Sequence, residues 1–247
     1  MRLLLLSALL LALATPAMAQ DHDGLKLPPP GTTVLNLSAT ETDKVAQDLL
    51  VASLRIETES ADPKEIQAKI NMAMQSALAL AKEQKDVKTT TGGYSVYPYD
   101  SRPPAEQQQG GVPKNRWRGQ QTIDLQSLKP DTLLKLVGQL QEKEFVMNNL
   151  GYTLSPEKYE SVQDELLVKA LGKLTAKADL AAKTLKKSGY DMLNVDLNAG
   201  GYAPVPMYAR AEMAMGAAMD KSMPTPVAAA GETDVSLTVS ARVLLKP

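Results

Sequence analysis

Cysteine is absent from this chain of 247 residues. No disulfide can staple the fold, no thiolate can serve as nucleophile, and lipid attachment through a lipobox cysteine is excluded. Histidine occurs once, as His22, so a zinc site built from His and Cys cannot be assembled. Aromatic residues are scarce, with one Trp and one Phe, which leaves Leu, Val, Ala and Met to build the core. Neither charge sign dominates: 27 basic side chains face 28 acidic ones. That balance gives no electrostatic case for nucleic acid or an anionic lipid surface. Reactive motifs are missing as well. No serine sits in a G-x-S-x-G elbow, and Gly92-Gly93 and Gly200-Gly201 lack the Gly-Lys-Ser/Thr of a phosphate loop. Asp164 and Glu165 are helix neighbours on different faces, an ordinary solvated pair.

The N-terminus carries a targeting pattern. Arg2 supplies a positive charge, Leu3 to Leu13 an apolar core too short to span a bilayer, and Ala17-Met18-Ala19 a small-x-small cleavage site. Cleavage is expected between Ala19 and Gln20, which would export the chain to the periplasm with no transmembrane span in the mature protein. Residues 20–32, with Pro28-Pro29-Pro30, read as an extended tether, and His22 lies in it as a solvated tail residue.

From residue 33 to 247 the pattern alternates between the two periodicities. Val34, Leu35 and Leu37 start a strand that leads into a polar turn over Ala39 to Lys44, and Leu49 to Thr58 follows as its antiparallel partner. Asp62-Pro63-Lys64-Glu65 opens a helix as N-cap, N1 proline and capping-box Glu. Its stripe is Ile66, Ile70, Ala73, Met74, Ala77, Leu78 and Ala81. Asp86 to Tyr99 and Asn115 to Leu125 form a long hairpin, with a bulge at Gly92-Gly93, looser pairing at Pro98 and a flexible loop near 101–113. A helix from Pro130 or Asp131 carries Leu133, Leu134, Leu136, Val137 and Leu140, and a strand runs from Phe145 to Tyr152.

The longest element spans Ser155 to Gly189. Ser155 is its N-cap, Pro156 its first residue and Gly189 its left-handed end. Val162, Leu166, Ala170, Leu174, Ala178, Ala181 and Leu185 form one stripe over roughly 48 Å. Asp191 to Asn198 is a strand with Leu193, Val195 and Leu197 inward. A Pro/Ala/Met-rich flexible loop near 200–231 precedes the last strand, Val235 to Val243. The order ββαββαβαββ predicts an α+β fold: an antiparallel or mixed sheet with about three helices packed on it, hinting at two related lobes.

These features resemble the SIMPL-domain family, also called domain of unknown function 541. The resemblance rests on Thr89 to Asp100 (TTTGGYSVYPYD), on Ala176-Lys177-Ala178-Asp179-Leu180-Ala181 in the long helix, on Tyr208-Ala209-Arg210-Ala211 and on the final Val/Thr/Val strand. The chain departs from the family at Ala39-Thr40-Glu41, where glycines are usual, and at Gln47, where proline is frequent. The resemblance implies an exported protein linked to oxidative-stress defence and able to form a ring-like oligomer. It brings no catalytic residues.

Two constellations remain. Met207, Met213, Met215, Met219 and Met223 offer soft thioethers that can hold Cu(I) or be oxidised reversibly to sulfoxide; the plainer reading is packing against an apolar surface. Tyr94, Tyr97, Tyr99 and Arg116-Trp117-Arg118 come together if the hairpin forms, to bind a sugar or partner strand or simply to pack across the strands. The sequence therefore points to a non-enzymatic, cofactor-free protein that self-associates into a homo-oligomer. The alternative is a redox or copper buffer built on the methionine run.

Overall fold

The computed structural model describes residues 30–108, 110–199 and 226–247. The predicted leader, most of the tether, His22 and the five methionines from Met207 to Met223 lie outside the described residues. The expected order of elements is present with one addition. It runs β1 (Thr33–Ala46), β2 (Leu49–Ser60), α1 (Pro63–Glu83), β3 (Lys88–Asp100), α2 (Pro104–Gln108), β4 (Asn115–Ser127), α3 (Pro130–Gln141), β5 (Val146–Thr153), α4 (Pro156–Thr184), β6 (Gly189–Ala199) and β7 (Glu232–Lys246). The short helix α2 occupies the segment expected to be a flexible loop.

Local chemistry explains where the helices begin and end. Asp62 caps α1 by accepting the Lys64 N–H at 2.9 Å. The expected reciprocal bond from Glu65 does not form. The Asp62 N–H donates to Ser60 Oγ, and that hydroxyl donates to Glu65 at 2.6 Å, a relay in place of a direct capping box. Ile66, Ile70, Met74, Ala77 and Ala81 are buried as the spacing predicts, but Leu78 turns outward and Ala73 is only partly covered.

Ser155 caps α4 by accepting the Lys158 N–H. The helix is 29 residues, roughly 43 Å, and its buried row is Val162, Leu166, Ala170, Leu174, Ala178 and Ala182. Leu185, expected in that row, is exposed because the helix has already ended. Lys186, not Gly189, takes the left-handed position, with φ of 54°. Its N–H donates to Lys183 O and that of Lys187 to Ala182 O, the paired bonds of a Schellman end, while Gly189 opens β6. A lysine in this conformation is disfavoured relative to glycine. Lys186→Gly is therefore expected to raise the unfolding free energy by about 1 kcal/mol, read from the urea midpoint; an unchanged or lower midpoint would contradict this account of the helix end.

The strands form two sheets rather than one. Sheet A has the order β1-β7-β6 and sheet B the order β3-β4-β2-β5, antiparallel throughout. The expected hairpin of the first two strands is overturned. Residues 39–44 are not a turn but the middle of β1, which pairs with β7 from Thr33↔Leu245 to Ala46↔Glu232. Ala39 and Val45 fill the buried positions, and the Thr40–Thr238 and Thr42–Ser236 hydroxyl contacts bridge the strands on the outer face. Of the polar residues that suggest a turn, Thr40, Thr42 and Lys44 are the solvated side of a strand, and Glu41 and Asp43 lie on its helix side, facing Lys173 and Lys169 of α4.

Sheet B with α1 and α3 has the succession βαββαβ and the strand order of a split β-α-β, or ferredoxin-like, unit. Its core joins Leu50, Leu54, Ile123 and Leu125 to Ile66 and Ile70 of α1 and to Leu133, Leu136 and Leu140 of α3. In sheet A the succession β1-α4-β6-β7, with β7 central, repeats the arrangement β2-α1-β3-β4, with β4 central. Both halves even carry a bulge in the same strand, at Thr91/Tyr94 and at Met192/Asn194. The structure is thus two related lobes, with residues 49–153 inserted between β1 and α4 of the other. The chain is tied down where it crosses from one lobe to the other and back. Asp48 accepts the Ser155 N–H and Oγ–H at 2.7 and 2.8 Å. Gln47 donates its backbone N–H to Gly231 O, which a proline there could not do, and its side chain reaches Thr233.

Candidate functional site

The tyrosine and arginine cluster predicted on the β3–β4 hairpin is present, but it divides between two faces. Directly opposed residues of an antiparallel pair point the same way. The ladder sets Tyr97 opposite Arg118 and Tyr99 opposite Arg116, all on the outer face of sheet B. The alternate positions put Pro98 opposite Trp117, and Trp117 packs against the inner core. Tyr94 pairs with Gln121 on that same inner side, and remains 43 % exposed. The bulge is real and demands glycine: a Cβ at Gly92 would lie 2.1 Å from Thr122 Oγ1. The looser pairing expected at Pro98 is not seen, since the ladder continues to Asp100↔Asn115. β3 is an edge strand, where a missing N–H can face away from the ladder.

Two further residues of the outer cluster stand outside the Tyr/Arg motif. Glu57 and Glu59 of β2 reach across β4. Arg118 donates to Glu59 from Nε at 2.8 Å and from its terminal nitrogen at 2.5 Å, and its Nε lies 3.4 Å from Glu57. The Tyr99 hydroxyl donates to the other Glu59 oxygen, and the Arg118 guanidinium sits 4.7 Å from the Tyr99 ring centre. Arg55 pairs with Glu57 at 3.2 Å and donates to Asn148 at 2.8 Å. The signal for this half was available: Arg55, Glu57 and Glu59 alternate along β2 with buried Leu54 and Ile56.

The electrostatics suit structure more than turnover. Hydrogen bonds from Tyr99 and then Arg118 hold Glu59 below its ordinary pKa. The same bond to Glu59 raises that of Tyr99, and Glu59 raises that of Arg118. Each shift carries its group away from neutrality, whereas an acid–base catalyst needs the reverse. Among the described residues, no group of three or more acidic or histidine side chains is placed to hold a metal ion. Nor is any helix there long and apolar enough to cross a membrane.

Asp100 secures the mouth of the hairpin. It accepts from the Arg102 side chain at 2.6 to 3.0 Å and from the backbone N–H groups of Arg102 and Lys114 at 3.1 Å. These bonds, the Arg102 side chain first, lower its pKa to about 2. A carboxyl that is more acidic folded than unfolded contributes stability above its unfolded pKa, about 4, and loses that contribution as pH falls through about 2. Hydrogen-exchange protection of the Lys114 amide is expected to fall across that window, and Asp100→Asn should abolish the step; the same step in the variant would refute the assignment.

Two lobes of split β-α-β type, each with helical cover on one sheet face and polar residues on the other, define an α+β protein whose outer cluster shifts Glu59, Tyr99 and Arg118 away from neutrality. The model of the SIMPL family, described as a protein of unknown function (DUF541), matches residues 35–243, and the chain belongs to that family. A search of curated proteins finds no match.

Proposed function

We propose that this chain is an exported, non-enzymatic envelope protein that works by self-association, in the manner implied by its likeness to the bacterial 26 kDa periplasmic immunogenic protein. One observation carries the reading. The lobes close their cores on the helix side but end in strands whose outer edges have no partner strand among the described residues. Unpaired edges are templates for another chain. The Glu59–Arg118–Tyr99 cluster serves this reading as a rigid brace across β2, β4 and β3. A role in oxidative-stress defence rests on the family resemblance, and export on the Arg2 to Ala19 pattern. Light scattering on the size-exclusion peak of the full chain tests self-association: a mass above that of the protomer is expected, and a strict monomer across micromolar concentrations refutes it.

The second reading takes its support from the methionine spacing. Met213-x-Met215 and Met219-x-x-x-Met223 suit two-point ligation of Cu(I). Titration of the reduced protein with Cu(I) tests it directly, and heat no greater than buffer eliminates it. Deleting Met207 to Met223 separates the two functions. Loss of copper or peroxide tolerance with an unchanged assembly mass supports the binder; unchanged tolerance with an unchanged mass supports the scaffold.

A further inference from the structure

We infer that the assembly forms through β6, by antiparallel pairing with β6 of a second copy across a twofold axis; this rests on the self-association reading and names its surface. The four outer strands are not equivalent. β1 is guarded by a lysine row on α4: Lys177 donates to Ser38 O at 2.6 Å, Lys173 to Thr40 O at 3.4 Å, Lys173 also pairs with Glu41, and Lys169 lies 3.7 Å from Asp43. Lysines along an edge are a common defence against pairing with another chain. β3 carries Pro98, which has no N–H to offer an incoming strand, and β5 is only eight residues long; a bulge does not separate the edges, since β3 and β6 each have one. β6 has 11 residues, no proline and no lysine.

The exposure pattern of β6 marks it further. Leu193, Val195 and Leu197, expected to face inward, are 54, 41 and 58 % exposed. Val195 and Leu197 do lie opposite buried Ala241 and Val239, so they point to the helix side of the sheet. The difference arises because α4 lies chiefly over β1 and β7 and covers β6 only near its start, at Tyr190 and Met192. The result is an apolar row at a sheet edge, which α4 leaves open.

A second copy fits this row through the sequence itself. Leu193-Asn194-Val195-Asp196-Leu197 reads nearly the same in both directions. Centred on Val195, antiparallel pairing sets the two Val195 residues against each other and each Asp196 against Asn194 of the other copy, an amide that can donate to it, while each Leu197 lies beside the bulge at Leu193. Centring on Asp196 instead would oppose two carboxylates, which is unfavourable. Shifting by a single residue of register would turn the apolar row against the polar face. The favoured register is isologous, as a twofold dimer requires, and it joins the two copies of sheet A into one six-stranded sheet.

The absence of cysteine gives a clean test. In the full chain, Val195→Cys treated with a short bifunctional maleimide is expected to yield a covalent dimer, while Asn36→Cys on β1 stays monomeric on a denaturing gel. Val195→Lys, at a position open enough to leave the fold intact by circular dichroism, should reduce the solution mass; Asn36→Lys should not. An assembled wild type whose mass survives Val195→Lys and whose Val195→Cys variant does not crosslink overturns the β6 assignment and leaves self-association standing. A monomeric wild type overturns both, since something other than a second copy then covers the edge.

Discussion

Alanine at position 119 is expected to lower the unfolding free energy by about 3 kcal/mol. Gly119 is buried in β4 on the face that meets α1. A Cβ there would lie 2.2 Å from Ile66 Cγ2, 2.7 Å from Ile70 Cδ1 and 3.3 Å from Val96 Cγ2. Both isoleucines are fully buried, so neither can swing into solvent, and the helix must lift from the sheet. That separation loses contacts along all of α1, which places the cost at the upper end of ordinary overpacking. Urea unfolding should show a lower midpoint at unchanged slope. Adding Ile66→Ala to Gly119→Ala should cost less than the separate effects combined, because it removes the methyl in the way. A midpoint within error of wild type would show that the helix does not approach as closely as described.

Asp48→Ala should be nearly as damaging, through the opposite defect. Ser155 is 3 % exposed and gives both its N–H and its hydroxyl proton to the Asp48 carboxylate. Removing the acceptor leaves two donors with little access to water, and the cap that Ser155 Oγ provides to Lys158 loses its orientation. A penalty of about 2 to 3 kcal/mol follows, equivalent to a fall of about 5–10 °C in melting temperature for a chain of this size. Asn at 48 keeps one acceptor oxygen and should recover part of the loss. If alanine is tolerated within 1 °C, Ser155 has found water, and the link between the lobes is not what holds the start of α4.

How much of this was legible beforehand depended on whether the signal was local. Asp62-Pro63 and Ser155-Pro156 announce helix starts because caps act within a turn, and Ile66 to Ala81 and Val162 to Ala178 declare their buried faces by spacing alone. The β3–β4 hairpin was legible for the same reason: its strands are neighbours in sequence. The partner of β1 was not, because alternation shows which face is buried but not which strand lies alongside, and Thr40 and Thr42 look alike in a turn and on an outer face. The end of α4 was misplaced since Lys186 adopts a conformation that sequence statistics reserve for glycine. Leu193, Val195 and Leu197 read as core because periodicity cannot say how far a helix reaches across the sheet. The candidate site was half visible: its tyrosines and arginines stood in a motif, whereas Glu57 and Glu59 lie far upstream and join only through the β2–β4 ladder.

The insertion of one lobe within the other sets the sequence of events when the chain folds. Residues 49–153 contain every strand and helix of sheet B, so that half can condense as soon as it has been made. Sheet A cannot. Its middle strand, β7, is the last described element, so β1 and β6 wait without a ladder until the whole intervening chain exists. Closing so long a loop is slow, and during the delay the lysines of α4 and the carbonyls of β1 have no fixed geometry. The late joining of β1 to β7 should therefore be the rate-limiting phase of refolding, and the moment at which premature strand exchange between molecules is most easily trapped.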